Sequence, residues 1–322
     1  MLNLAIVGVG AWGKKLIGSV QNKSDIVRFT RAVTRTPSKV TDFTAEHGIA
    51  LSDDYRTILE DDSIDAVIVC SPAHDHVEQT LAALEAGKHV QVVKPLAVTK
   101  SDAEALYEAA DKNGVFLAVG YERCFLPAAD EFRRRVKSGA LGKIIHAEGA
   151  YCVDRYLSMK ADYWKADITT APPGALADHI LYMMIELIGP VEELQAHGKH
   201  LATDLSAADT STVTMTLAGG ASGLLTAIGA TAGFARLHFF GTGGWIELRD
   251  ATHLEIAPLG GEKEVIDFPA FDTLKEQLES FATAAQGGAG YRIPRDNAIA
   301  GVAAVEAMGL SAERNAPVKL VP

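Results

Sequence analysis

Leu4-Ala5-Ile6-Val7-Gly8-Val9-Gly10-Ala11-Trp12-Gly13 is the stretch that decides the fold of this chain. Leu4 to Val7 is a short apolar run of the buried-strand type. It leads into a G-x-G-x-x-G pattern, and Lys14 to Val20 reads as helix, so the glycines lie between a strand and a helix. In that setting each glycine has a task. Gly8 permits a tight turn, Gly10 lets backbone approach a pyrophosphate, and Gly13 lets the helix pack close to the strand. Ala11 and Trp12 complete the loop, where the helix N-terminus offers unpaired N–H groups and partial positive charge to phosphate. The stretch predicts a dinucleotide-binding α/β domain on a doubly wound parallel sheet.

Outward from the glycines, strand-like and helix-like stretches alternate. Ile26 to Val33 is a second strand and ends at Thr34-Arg35-Thr36-Pro37. About twenty residues past the glycines, an acidic side chain would hold the ribose hydroxyls of NAD. Here Thr34, Arg35 and Thr36 stand instead, followed by Ser38 and Lys39. Hydroxyls beside a guanidinium suit a 2′-phosphate, which favours NADP and leaves NAD possible. Asp65 to Ser71 is a further buried strand, with Pro72 opening the next helix. Helix 76–86 closes at Gly87, and strand His89 to Val93 ends in Lys94-Pro95. Helix 101–112 and strand 115–119 complete the pattern. Ligands of such sheets bind beyond the strand C-termini. Gly8 to Gly13, Thr34 to Thr36, Cys70-Ser71-Pro72, Lys94, Tyr121 and Arg123 all fall there.

At 322 residues the chain is long enough for two domains, and 48% hydrophobic with 22% charged residues is ordinary for a globular protein. A net charge of −11 gives no electrostatic support for a nucleic-acid partner. No apolar run has the length of a membrane span. The opening residues are strand-like at once, leaving no room for a signal peptide. The three cysteines, Cys70, Cys124 and Cys152, have no metal-type spacing. A cytoplasmic protein without metal is the expectation.

Ser71-Pro72-Ala73-His74-Asp75-His76, then Ala86-Gly87-Lys88-His89-Val90, then Val93-Lys94-Pro95 carry a resemblance. In order and spacing they resemble the glucose–fructose oxidoreductase / inositol dehydrogenase (Gfo/Idh/MocA) family. Ser71, Pro72 and His76 match a threonine- or serine-proline with a downstream histidine, which places His76 among the cofactor-binding residues. Lys94 matches the lysine of a glutamate-lysine-proline motif whose glutamate is Val93 here. The resemblance implies an N-terminal Rossmann domain, 1–122, and a C-terminal α/β domain, 123–322, with a large, open, mostly antiparallel sheet. It implies a homodimer or homotetramer formed through that sheet.

The second half reads as helix 125–139, strand 144–153 and a loop bearing Arg155, Lys160, Tyr163, Trp164 and Lys165. With Tyr151, those aromatic and basic groups are candidates to line a substrate pocket, and a solvated loop is the alternative. Helix 175–188 follows Pro172-Pro173-Gly174. Strand-like runs 191–196, 211–217, 222–229, 235–240 and 244–248 suggest a meander, and helices 271–285 and 296–311 end the chain. The family pattern on helix 175–188 has an aspartate and a histidine four apart, hence on one face. Asp178 keeps the aspartate, Tyr182 replaces the histidine, and His179 lies about 100° round the helix. The resemblance therefore implies a hydride-transferring oxidoreductase acting on a sugar, polyol or related cyclic ketone. Lys94 is expected at the reacting oxygen, Asp178 at substrate hydroxyls and tuning Lys94, and Tyr182 as proton carrier, with a neighbouring ammonium lowering its phenol pKa. A cofactor-binding protein without catalysis, and a hydrolase or lyase using the nicotinamide transiently, stay open beside it.

Overall fold

The computed structural model describes residues 1–169 and 171–320. They divide into two compact units, Met1–Phe125 with Asp272–Arg295, and Leu126–Phe271 with the chain from Asp296 onward. In the first unit, strands β1 (Leu2–Val7), β2 (Val27–Val33), β3 (Ala50–Ser52), β4 (Ala66–Val69), β5 (His89–Val93) and β6 (Leu117–Gly120) form one sheet in the order β3-β2-β1-β4-β5-β6. All of its pairs are parallel. Helices α1 (Ala11–Val20), α2 (Thr41–Glu46), α3 (Arg56–Leu59), α4 (His76–Glu85) and α5 (Lys100–Asn113) alternate with the strands.

Every residue of β4 and β6 is buried. A parallel sheet is covered on both faces, which is why these strands read as unbroken apolar runs rather than alternating ones. The strand order reverses between β1 and β4, which makes their C-terminal ends the crevice where such sheets take ligands. Strand β3 and helices α2 and α3 escape sequence reading. Ala50-Leu51-Ser52 is too short and too open to carry a periodic signal.

In the second unit, helix α6 (Pro127–Lys137) precedes β7 (Ile144–Cys152), and α7 (Asp178–Ile188) precedes β8 (Val191–Lys199). Then come β9 (Thr210–Leu217), β10 (Ala221–Ile228), β11 (Phe234–Gly241), β12 (Gly244–Arg249), β13 (His253–Pro258) and β14 (Glu264–Asp267). Helix α8 (Thr273–Ala285) returns to the first unit, while α9 (Arg295–Arg314), from Asp296 on, and β15 (Val318–Lys319) rejoin the second. The nine strands run β14-β13-β12-β11-β7-β10-β9-β8-β15.

All these pairs are antiparallel except β7 with β10, which is parallel. The uninterrupted meander expected from 191 to 248 is thus corrected at one place, where β7 lies between β10 and β11. Alternation along a strand tells which face is apolar, not which strand is its neighbour. On β9, Val213, Met215 and Leu217 are buried while Thr212, Thr214 and Thr216 are exposed. Phe132 of α6 packs edge-on against Phe239 of β11 on the apolar face, with ring centroids 5.0 Å apart.

The expected division at 122/123 is also corrected by α8. Its Leu278, Phe281 and Ala282 are buried in one cluster with Leu4, Ile17 and Phe29. Ser24 Oγ donates to Glu279 Oε1 at 2.6 Å, and Lys275 Nζ donates to the Lys23 carbonyl at 2.7 Å. An amphipathic pattern identifies the apolar stripe of a helix but not the sheet it covers.

Candidate active site

Gly8 follows β1 with φ +96°, and a Cβ there would lie 2.4 Å from the Cys70 carbonyl oxygen. A Cβ on Gly13 would lie 2.3 Å from the Gly8 carbonyl oxygen. These two contacts join the end of β1 to the end of β4 and to the first turn of α1, and only glycine permits them. Gly10 differs: it caps α1 in an extended conformation, and a Cβ on it would meet nothing within 4 Å. The fold therefore needs Gly8 and Gly13 for itself and leaves open space over Gly10, at the positive end of α1. That space and those donors fit a dinucleotide pyrophosphate. Ala11 and Trp12 on its rim are exposed, and Lys15 Nζ sits 5.6 Å from the Trp12 ring centroid.

Four other strand ends lie on the same side of the sheet, those of β2 and β4 next to β1 and those of β5 and β6 further along. Thr34 is half-buried at the end of β2, while Arg35 and Thr36 are exposed. Cys70, Ser71 and Pro72 follow β4, all half-buried, and Ser71 Oγ donates to Gln79 Oε1 at 2.6 Å. Lys94 is half-buried just past β5, and its peptide bond to Pro95 is cis. Tyr121 and Arg123 follow β6; Tyr121 is buried and Arg123 half-buried.

His76 is placed otherwise than expected. It is the first residue of α4 and has 0% exposure. Its Nδ1 lies 2.7 Å from the Pro95 carbonyl oxygen and its Nε2 2.9 Å from the Ser71 carbonyl oxygen. No edge of the ring is left for a cofactor, so direct contact is corrected to contact with backbone. Burial holds its pKa below the ordinary histidine value, while the two carbonyls favour the charged ring. Gln79 is a residue that sequence reading missed. Its position three after His76 places both on one face of α4, which is the signal that would have found it.

In the second unit, the helix expected from 175 starts as a separate tight turn, Ala175–Ala177, and α7 proper opens at Asp178. A carboxylate in a first helical turn is favoured by the peptide dipoles. Asp178 and His179 are each 5% exposed, whereas Tyr182 is 0% exposed. Tyr182 has no accessible surface in this structure, so it is left out of the proton-handling residues proposed below. Glu186, one turn further along the same stripe, accepts from Arg133 Nε of α6 at 2.7 Å.

Tyr151 is half-buried on β7. The loop after it contains two short helical turns, Arg155–Ser158 and Trp164–Ala166. Tyr156 and Ala166 are buried in a small satellite cluster with Leu205 and Ala207, which anchors the loop. Arg155 and Tyr163 remain exposed, and Lys165 Nζ lies 4.9 Å from the centroid of the half-buried Trp164 ring.

Residues 2–121 match the model of the oxidoreductase family with an NAD-binding Rossmann fold, and residues 130–247 match the GFO/IDH/MocA C-terminal domain. The chain belongs to the Gfo/Idh/MocA oxidoreductase family. Levoglucosan dehydrogenase of Pseudarthrobacter phenanthrenivorans is 35% identical over 149 residues, which are 44% of this chain and 38% of that protein. A scyllo-inositol 2-dehydrogenase (NADP(+)) of Bacillus subtilis is 26% identical over 212 residues, 63% of either chain. Both matches span less than two thirds of the relative's own length. The structure of levoglucosan dehydrogenase in complex with NADH and L-sorbose superposes with a TM-score of 0.87, at 21% identity and 99% coverage of both chains. At that identity the likeness is one of fold. Among the described residues no helix is long and apolar enough to cross a membrane, and no group of three or more metal-ligating side chains is assembled.

Proposed function

We propose that this Gfo/Idh/MocA protein is a nicotinamide-dependent dehydrogenase. It interconverts a secondary alcohol and its ketone on a sugar, polyol or related cyclic compound, with NADP preferred over NAD. The observation that carries this reading is the open space over Gly10, with the strand end that bears Lys94 two strands along in the same parallel sheet. The relatives' actions on levoglucosan and scyllo-inositol support the substrate class, and their use of NADH or NADP(+) supports the cofactor class.

Gly8, Gly10, Ala11, Trp12 and Gly13 would hold the pyrophosphate, and Thr34, Arg35 and Thr36 the adenine ribose with its 2′-phosphate. Cys70, Ser71 and Pro72 would form the shelf at the switch point. Hydride transfer is the chemistry such a cofactor supplies when bound. The chain's own task is the proton and the charge on oxygen. Lys94 Nζ carries a proton and stabilises negative charge on the substrate oxygen. Asp178 accepts a substrate hydroxyl and so fixes orientation. Tyr121, Arg123, Tyr151, Arg155, Tyr163, Trp164 and His179 remain candidates for substrate contacts of lower rank. The polar face of the nine-stranded sheet would pair copies of the chain into a homodimer or homotetramer, and a monomer in sedimentation velocity would remove that part.

The test is binding followed by turnover. NADPH and NADH are titrated calorimetrically, and nicotinamide absorbance is then followed across a panel of sugars, polyols and cyclic ketones. Cofactor-dependent absorbance change with at least one member is the expected result. Tight cofactor binding with no absorbance change across the panel would leave a binding protein. Product formation with no net change in cofactor would indicate a hydrolase or lyase.

A further inference from the structure

His76 occupies an unusual place for a polar side chain. It is fully buried at the start of α4, yet it touches two backbone corners that lie 24 residues apart in sequence, at Ser71 and Pro95. Pro95 is the residue directly after Lys94, and Ser71 is the second residue past β4. Strands β4 and β5 pair in parallel only as far as Val69 opposite Val92. The paired register is not continued past those residues. The imidazole spans that gap, at 2.9 Å to the Ser71 carbonyl and 2.7 Å to the Pro95 carbonyl. Gln79, on the same face of α4, accepts from the Ser71 hydroxyl at 2.6 Å, so Ser71 is held by both its carbonyl and its side chain. Tyr55 in turn donates its hydroxyl to the Gln79 carbonyl at 2.8 Å.

We propose that His76 is a positioning residue for Lys94: it ties the Lys94-Pro95 corner to the Ser71 shelf and so sets where the ammonium stands. This rests on the reading of Lys94 given above. A core histidine that merely filled space would not have each ring nitrogen on a carbonyl of a different strand end. A neutral ring donates its single N–H to one of the two carbonyls and a protonated ring donates to both; an alanine removes the bridge in either state. An asparagine is too short to span them.

The test combines His76→Ala, His76→Asn and the volume-conserving His76→Gln with Lys94→Ala, singly and in pairs. Two readouts are used: steady-state kinetics with NADPH, and amide hydrogen exchange of the segments containing 90–92 and 94–97. His76→Ala is expected to lower kcat by roughly 10- to 100-fold with the NADPH Kd held within a few-fold, since small misplacements of a reacting group carry losses of that order. Exchange should accelerate at 94–97 and stay slow at 90–92. His76→Gln should retain more activity than His76→Asn. On the Lys94→Ala background, with residual turnover followed over hours, the further loss on removing His76 should vanish, because residues acting through one group are not additive. An unchanged kcat in His76→Ala, an equal loss on both backgrounds, or acceleration at 90–92 as much as at 94–97 would overturn the proposal. If Lys94→Ala keeps full turnover, it is the reading of Lys94 that fails, and the exchange pattern alone then decides whether His76 holds the corner.

Discussion

At the scale of single residues, Arg35 carries the cofactor preference. It is exposed at the end of β2, makes no hydrogen bond or ion pair among the described residues, and stands where an acidic residue would hold the ribose of NAD. Arg35→Asp is expected to reverse the ratio of NADPH to NADH dissociation constants, and equal constants in the parent protein would remove its role. Tyr182 carries the opposite lesson. Its spacing from Asp178 is that of a catalytic pair, and sequence alone does not tell a buried aromatic from a proton carrier at the same helical position. Its 0% exposure favours packing. Tyr182→Phe is therefore expected to keep turnover within a few-fold, while Tyr182→His, a buried imidazole in place of a phenol, should lower stability. A loss of ~10²-fold in Tyr182→Phe, the size expected of positioned proton transfer, would return the residue to the site. Lys94 and Asp178 enter the proposed site from the motif. His76 was found by motif with the wrong role, because only the folded chain shows its nitrogens engaged by carbonyls.

At the scale of elements, the glycine loop and the edge of the second sheet give separable expectations. Gly10→Ala places its methyl in open space, so thermal stability should hold while dinucleotide affinity falls; Gly8→Ala drives a methyl into the Cys70 carbonyl and should destabilise the fold itself. Equal stability losses in the two variants would show that the fold itself needs Gly10, and unchanged dinucleotide affinity in Gly10→Ala would show that no ligand approaches it. At the sheet edge, His253 of β13 lies 3.0 Å from Glu255 Oε1 and 2.6 Å from Asp267 Oδ1 of β14. Glu255 first, then Asp267, hold its pKa above the ordinary histidine value. A raised folded-state value stabilises fully below the unfolded value near ~6.5 and loses that contribution as pH climbs through the folded value. The Tm difference between parent and His253→Gln should thus shrink on going from about pH 6 to about pH 9. The group is largely solvated, so the effect is small, and a difference that grows with pH would contradict it. The long buried strands and α1, α4 and α5 were readable because each carries an unbroken or periodic apolar signal. The destination of α8 and the insertion of β7 were not, since both are set by contacts distant in sequence.

At the scale of the molecule, the doubly wound sheet followed from the glycine loop and the alternation of strand and helix. Six strands of the second sheet, β7 to β12, were readable, while β13, β14, β15 and the strand order were not. Its polar face, with Thr212, Thr214 and Thr216 exposed on β9, remains the surface proposed for self-association. Family membership places the chain among oxidoreductases, and what it adds as an individual is the set of residues proposed to handle the proton, centred on Lys94. The most direct test compares parent and Lys94→Ala on the best substrate of the sugar, polyol and cyclic-ketone panel, with turnover read from nicotinamide absorbance and NADPH affinity read by calorimetry. The expected result is a kcat lower by at least ~10²-fold with the Kd within a few-fold, the loss appropriate to positioned proton transfer. Near-normal turnover in Lys94→Ala would contradict the account and move the reacting oxygen away from that strand end.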